Sequence, residues 1–450
     1  MKRIILPLSM MLTVLLVGGI ASGQEMIPPE KANMNWQQFA GAEITVLDIA
    51  HATGMTINRY IEEFEKLTGI KVNHLIMDED KMREKRTADL AAKRGRYDAF
   101  EVGLTIVPQY FKAKWVENLV PFVNDPALTD QAFYQFEGLS PPLVEANKQG
   151  DYLCAIPNMF GAPIFFYRTD ILAESGLGIP QSWDRLANSF MPKMQTFLDS
   201  KGYRMSAFVT RGEKGAGANT WTLGACFRSF GVEWFDKNMK PLFNSPEAVE
   251  ALTTYVKFCD PANGAPPGVE GFGMYDITEL FYLDKVATVW MANDRNIQLE
   301  NPEMSKIVGK WDTTIPPAGP VKRTTSLWTW AYGINPYSAN KEAAWLFIQW
   351  VTSPYFQAKV GADIPPSRTD LLGTKPFEEL RYQNWVEANF WVLQFGDPAS
   401  QPLIPEFPEW GEYFGTECAK AIARIKDPKA ALDAAVEQVS EVMKKAGYYK

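Results

Sequence analysis

The chain has 450 residues and a formal net charge of −8, which allows two or three domains at roughly 150 residues each and a core that needs no covalent or metal staple. An acidic balance lacks the basic footprint of a nucleic-acid binder. Two histidines do not furnish a His-rich zinc site, so no nucleic acid, metal or cofactor is expected, while 14 Trp and 27 Phe supply both a core and an aromatic cleft.

Lys2 and Arg3 precede an apolar run, Ile4 to Ile20, that closes on Ala21-Ser22-Gly23. This pattern predicts a signal peptide over 1–23, cleaved on export to a bacterial periplasm. The alternative is an N-terminal membrane anchor, for which the run is slightly short. The first cysteine is Cys154, so no lipid anchor is expected after the cleavage site. Cys154, Cys226, Cys259 and Cys418 then meet an oxidising space. Cys226 with Cys259 is the preferred pair, because both fall in one predicted domain; buried free thiols are the alternative.

A regular α/β pattern follows a polar leader. Ile44 to Ile49 predicts a strand, and Ile57, Tyr60, Ile61, Phe64 and Leu67 share one helical face before Gly69. Ile70 to Ile76 predicts the next strand, Glu79 to Arg94 a charged helix, and Tyr97 to Val102 a third strand. Such alternation implies an open, largely parallel sheet with ligands beyond the carboxyl ends of its strands. That rule selects the loops Ala50 to Gly54, Met77 to Asp80 and Gly103 to Val107, and it favours His51 as a ligand contact. His74 lies within a strand and is read as structural.

A second block begins with the strand Ala162 to Tyr167 and the helix from Thr169 to Ser175. The strand Tyr203 to Thr210 leads into the glycine-rich loop Arg211 to Asn219. The Lys of that loop is not followed by Ser or Thr in the order a phosphate loop requires. Val286 to Met291 and Trp328 to Ile334 are further strands, and period-two alternation puts Trp328 and Trp330 on one face. Helices are predicted over Ala343 to Val351, Gly411 to Arg424 and Pro428 to Ala446.

Several segments resemble the extracellular solute-binding proteins of ABC transporters, family 1, and most closely their polyol (mannitol/sorbitol-type) branch. They are Thr87-Ala88-Asp89-Leu90-Ala91 with Tyr97-Asp98, Tyr167-Arg168-Thr169-Asp170-Ile171-Leu172, Phe230-Gly231-Val232-Glu233-Trp234-Phe235-Asp236, Gly264-Ala265-Pro266-Pro267-Gly268, Leu327-Trp328-Thr329-Trp330, Ala343 to Ser353, Pro365-Pro366 near Arg368, and Ile404-Pro405-Glu406-Phe407. The resemblance implies an α/β, two-lobed periplasmic binding protein fold, type II-like. The lobes are discontinuous: 42–160 with 322–371, and 161–321 with 372–450. It further implies a monomer that binds a small neutral polyol or sugar-like solute in an aromatic cleft and delivers it to the transmembrane subunits of an ABC permease.

A polyol site needs aromatic faces for C–H surface and a polar partner for each hydroxyl, since an unpaired buried polar group costs about 1–3 kcal/mol. The resemblance places Trp290, Trp328 and Trp330 at the cleft, with core packing as the alternative for each. Trp410 follows a motif that faces the ligand in related sugar binders, and Trp221 follows the glycine-rich loop. The polar candidates are Asp78, Glu79, Asn219, Asn293, Asp294 and Arg368. Arg368 offers a planar fork to vicinal oxygens, a surface ion pair being its alternative.

The chain also departs from the polyol branch. Thr105-Ile106 stands where that branch has a Tyr-Glu pair, and Phe160-Gly161-Ala162 where it has Gly-Glu-Ser, which puts Phe160 among the candidate ligand contacts. Two carboxylates are thereby lost, implying a solute other than mannitol or sorbitol, with fewer hydroxyls or an apolar flank. The competing functions are a ligand receptor for a sensory kinase or chemoreceptor and a secreted glycoside-active enzyme. The latter needs two carboxylates flanking a bond, and no spacing links Glu101, Asp294 and Glu406, so catalysis is not expected.

Overall fold

Short apolar runs alternating with helices build two separate sheets in the computed structural model, which describes residues 26–449. The leader assigned to 1–23 lies outside them. The first sheet starts from β1 (Glu43–Ile49), β2 (Lys71–Met77) and β3 (Ala99–Gly103). A small hairpin, β4 (Lys148–Gln149) with β5 (Tyr152–Leu153), precedes β6 (Ile156–Gly161), which joins that sheet. Two residues later β7 (Pro163–Arg168) opens the second sheet, completed by β8 (Ser206–Val209), β9 (Val286–Ala292) and β10 (Trp311–Thr314). The chain then returns, and β11 (Trp328–Ile334) inserts between β3 and β6.

The strand orders are β2-β1-β3-β11-β6 and β10-β7-β9-β8. The expected parallel run holds for β2-β1-β3, but β11 is antiparallel to both neighbours. The reason is topological: β11 comes back from the second sheet and enters at the edge where β6 left.

Each sheet carries its own core. Helix Lys341–Thr352 lays Phe347 and Trp350 against Phe64, Tyr332 and Phe356, and Trp345 against Phe122 and Tyr134, in the first. In the second, Trp183 stacks at 4.5 Å on Trp290, beside Phe258 and Phe208. The helix read through Ile57 and Leu67 is two helices, Ala52–Asn58 and Ile61–Thr68, and the second ends on Gly69 at φ 68°, the left-handed cap glycine takes without strain. The preferred Cys226–Cys259 disulfide is not formed. All four thiols are free and buried, and burial in apolar surroundings pushes those of Cys226 and Cys259 well up.

Candidate functional site between the two sheets

The edge rule applies to both sheets. β1, β2 and β3 run parallel, so their carboxyl ends, followed by Ala50-His51, Asp78 and Leu104, share one edge. Trp330 pairs with Gly103 and Trp328 with Gly161, bringing the start of β11 and the end of β6 to that edge. In the second sheet β8 and β9 are parallel and Ala292 pairs with Pro163, so the segments Thr210-Arg211 and Asn293-Asp294-Arg295 face the crossing Gly161-Ala162. The site is therefore a cleft between two strand-end edges.

The wall from the first sheet is aromatic. Trp328 and Trp330 meet edge to face at 5.9 Å, and the His51 ring lies 6.0 Å from Trp330. Both indoles lie over Gly103, where a Cβ would stand 2.7 Å from Trp328 Cζ2. His51 caps helix Ala52–Asn58 by accepting the Thr53 N–H on Nδ1 at 3.1 Å, so in the neutral ring Nε2 carries the proton. That Nε2 is 3.4 Å from Oε2 of the fully buried Glu101 but lacks hydrogen-bond geometry. Burial pushes the His51 pKa down; Glu101, with smaller help from Asp48 and Asp294, outweighs it and leaves the pKa raised.

The wall from the second sheet is cationic. The Trp221 ring lies by Gly161, as Trp328 does, and carries the Arg211 guanidinium at 4.5 Å from its centroid. Burial, then the neighbouring Arg295, lowers the Arg211 pKa to about 10. Asp294 bonds Arg295 at 3.0 Å and is close enough for its charge to act on both Arg211 and His51. Proximity thus groups six residues into a ring: His51, Trp330 and Trp328 in contact on one side, Trp221 and Arg211 in contact on the other, and Asp294 near both Arg211 and His51. Around it the buried atoms His51 Nε2, Trp221 Nε1, Arg211 Nε, Arg295 Nε and Asp294 Oδ1 lack hydrogen-bond partners. Buried polar groups are rarely left so; here they cluster at one place.

The sequence-predicted residues divide sharply. His51, Trp221, Asp294, Trp328 and Trp330 come together in this ring. Asp78 and Glu79 sit exposed at its rim: Asp78 caps helix Glu79–Ala91, and Glu79 pairs with Arg83, whose guanidinium lies 5.6 Å from the Trp330 ring centroid.

The other six are held within the fold by packing or hydrogen bonds. Trp290 is fully buried on Trp183 with Nε1 donating to Pro163 O at 3.1 Å. Trp410 lies in a second-sheet aromatic cluster with Trp234, Phe243 and Phe414. Phe160 points into the second core. Asn219 ties its loop to Gly415 O at 2.9 Å. Asn293 accepts from Ala162 N at 2.9 Å and donates to Asn389 Oδ1 at 2.5 Å, locking the crossing. Arg368 is fully buried and spends all its donors on Asp370 and the carbonyls of Tyr134, Gln135 and Thr352. His74, read as structural, bonds Asp48 at 2.7 Å.

Arg211, Arg295 and Glu101 were not among the predicted site residues. The signal was available for the first two: each follows the carboxyl end of a strand, as His51 does, but the rule had been applied only to the first sheet. Elsewhere, the open groove of Gly309, Trp311, Asp312, Arg381, Tyr382, Gln383 and Asn384 shares no residue with the ring. Contacts also join the parts that carry the two sheets, from Lys112 Nζ to Glu406 Oε1 at 3.5 Å and from Asn296 Nδ2 to Ala362 O at 3.0 Å.

Two strand-end edges that close around unsatisfied polar groups define a two-lobed receptor for a small solute. The chain belongs to the bacterial extracellular solute-binding protein family, whose model matches residues 51–358. It is 26% identical over 431 residues to a mannitol-binding protein of Pseudomonas aeruginosa, covering 91% of this chain and 95% of that one. It is 26% identical over 351 residues to an erythritol/L-threitol-binding protein of Mycolicibacterium smegmatis, covering 75% and 72%. A solved solute-binding protein of Agrobacterium vitis S4 with bound D-mannitol superposes with a TM-score of 0.76 at 27% identity, over 91% of this chain and 100% of that one. Proteins of this family act outside the cytoplasm as the binding components of ABC importers.

Proposed function

We propose that the chain is the receptor of an ABC importer for a small polyhydroxylated solute of the polyol or sugar class, held in the cleft between β1–β3 and β8–β9. The observation that carries this reading is the ring of unpartnered buried polar atoms set between the Trp328, Trp330 and Trp221 faces. Aromatic faces cover C–H surface, and each free donor or acceptor waits for a hydroxyl. The relatives named for mannitol and for erythritol or threitol support the same class. The Trp221 indole N–H, Asp294 Oδ1 and the Arg295 guanidinium bind and orient the solute; Glu101 orients His51.

The reading includes lobes of 42–160 with 322–371 and of 161–321 with 372–450, the chain crossing at Gly161-Ala162. It also includes removal of 1–23, a monomeric receptor and no catalysis. Closure on the solute is a hinge motion driven by the solute's preference for the closed state. A thermal-shift series with alditols and sugars of four to six carbons tests it. A true ligand at a hundredfold excess over its Kd stabilises the fold by about 2.7 kcal/mol. A flat response across the whole series contradicts the reading.

A further inference from the structure

The second-sheet wall holds two guanidiniums, only one of which is paired with a carboxylate. Arg295 has Asp294 at 3.0 Å. Arg211 is 5% exposed, yet among the described residues its side chain forms no ion pair and donates no hydrogen bond, and its Nε is sealed from solvent without an acceptor. Its closest company is a tryptophan face, with Arg295, Asp294 and Glu213 near enough for their charges to act on it. A buried charge left unpaired is strongly destabilising, so such a group persists where something outside the chain completes it. Helix Asn219–Ser229 starts at the same corner, with Trp221 in its first turn and no side-chain cap, and adds the positive end of its dipole. What this corner offers is therefore a buried guanidinium without an acceptor, a planar fork that matches the two oxygens of a carboxylate.

We propose that the solute carries one carboxylate in addition to its hydroxyls, and that this carboxylate seats on Arg211 beside Arg295. The proposal rests on the cleft being the solute site and narrows the substrate class from neutral polyols to polyhydroxylated acids. Asp294 keeps the hydroxyl end in order: it repels a second negative charge and accepts from an O–H.

The test is calorimetry on the chain without residues 1–23, with matched sets of four to six carbons: each alditol, the corresponding aldonate, and the neutral aldonamide. The expected result is an aldonate bound roughly tenfold to a hundredfold tighter than its alditol and amide, the factor a charge-assisted hydrogen bond carries. In Arg211→Gln the aldonate falls to the level of its alditol, and Arg211→Lys, which keeps the charge but not the fork, recovers part of the difference. Thermal melts of the same variants without ligand separate lost recognition from lost folding. An alditol bound as tightly as its aldonate overturns the carboxylate and leaves the polyol reading standing, as does an acid preference that survives Arg211→Gln. Failure of every compound in the set overturns both.

Discussion

Arg368 and Arg211 are both large, buried, positively charged side chains, and they are built in opposite ways. Arg368 sits in a cage of Asp370 and three backbone carbonyls that takes up its fork, holding the segment after Pro366 against Tyr134 and Thr352. Arg211 has a ring beneath it and another cation near it, and among the described residues it donates no side-chain hydrogen bond. A satisfied buried charge marks a place where the chain holds itself together; an unsatisfied one marks a place where it holds something else.

Three perturbations sharpen this contrast, the largest first. Asp370→Asn strips the carboxylate from the Arg368 cage and is expected to cost about 3–5 kcal/mol in urea unfolding, the penalty for leaving a buried charge uncompensated. Gly103→Ala inserts a Cβ 2.7 Å from Trp328 Cζ2 and 3.1 Å from Trp330 Cζ3. It should cost about 1–3 kcal/mol, alter the intrinsic tryptophan fluorescence, and weaken solute binding because it displaces the aromatic wall that faces Arg211.

The smallest effect is the pH dependence of His51. Its pKa is raised by Glu101 against the opposing effect of burial, so its stabilising contribution is fully present below the ordinary value of 6.5 and is lost as pH rises through the folded value. Protonation also gives up the Thr53 cap on Nδ1, which keeps the effect small. The melting-temperature gap between the native chain and His51→Gln should therefore shrink as pH rises above neutrality. A gap that widens with pH contradicts the assigned direction.

The fold was largely legible because periodicity is a local signal. β11 and helix Thr169–Ser175 fall where alternation and the 3.6-residue period put them. The antiparallel insertion of β11 was not legible, since strand order depends on where a returning chain re-enters. The candidate site was legible where chemistry and position coincide: His51, Trp328 and Trp330 stand at a strand end. Arg368 and Trp290 have residue types that suit a sugar site, but their neighbours, visible only in three dimensions, use up their donors. Arg211 was passed over for the converse reason. Nothing in the letters Thr210-Arg211-Gly212 says that no carboxylate folds back to meet the guanidinium.

The most direct test of the account needs no ligand: urea unfolding of the solute-free Arg211→Met and Arg368→Met variants, which remove the charge and keep an apolar stem. The account predicts that Arg368→Met loses about 3–5 kcal/mol while Arg211→Met is as stable as the native chain or more so. Equal losses in the two variants would contradict it, because Arg211 would then be holding the fold together rather than waiting for a solute.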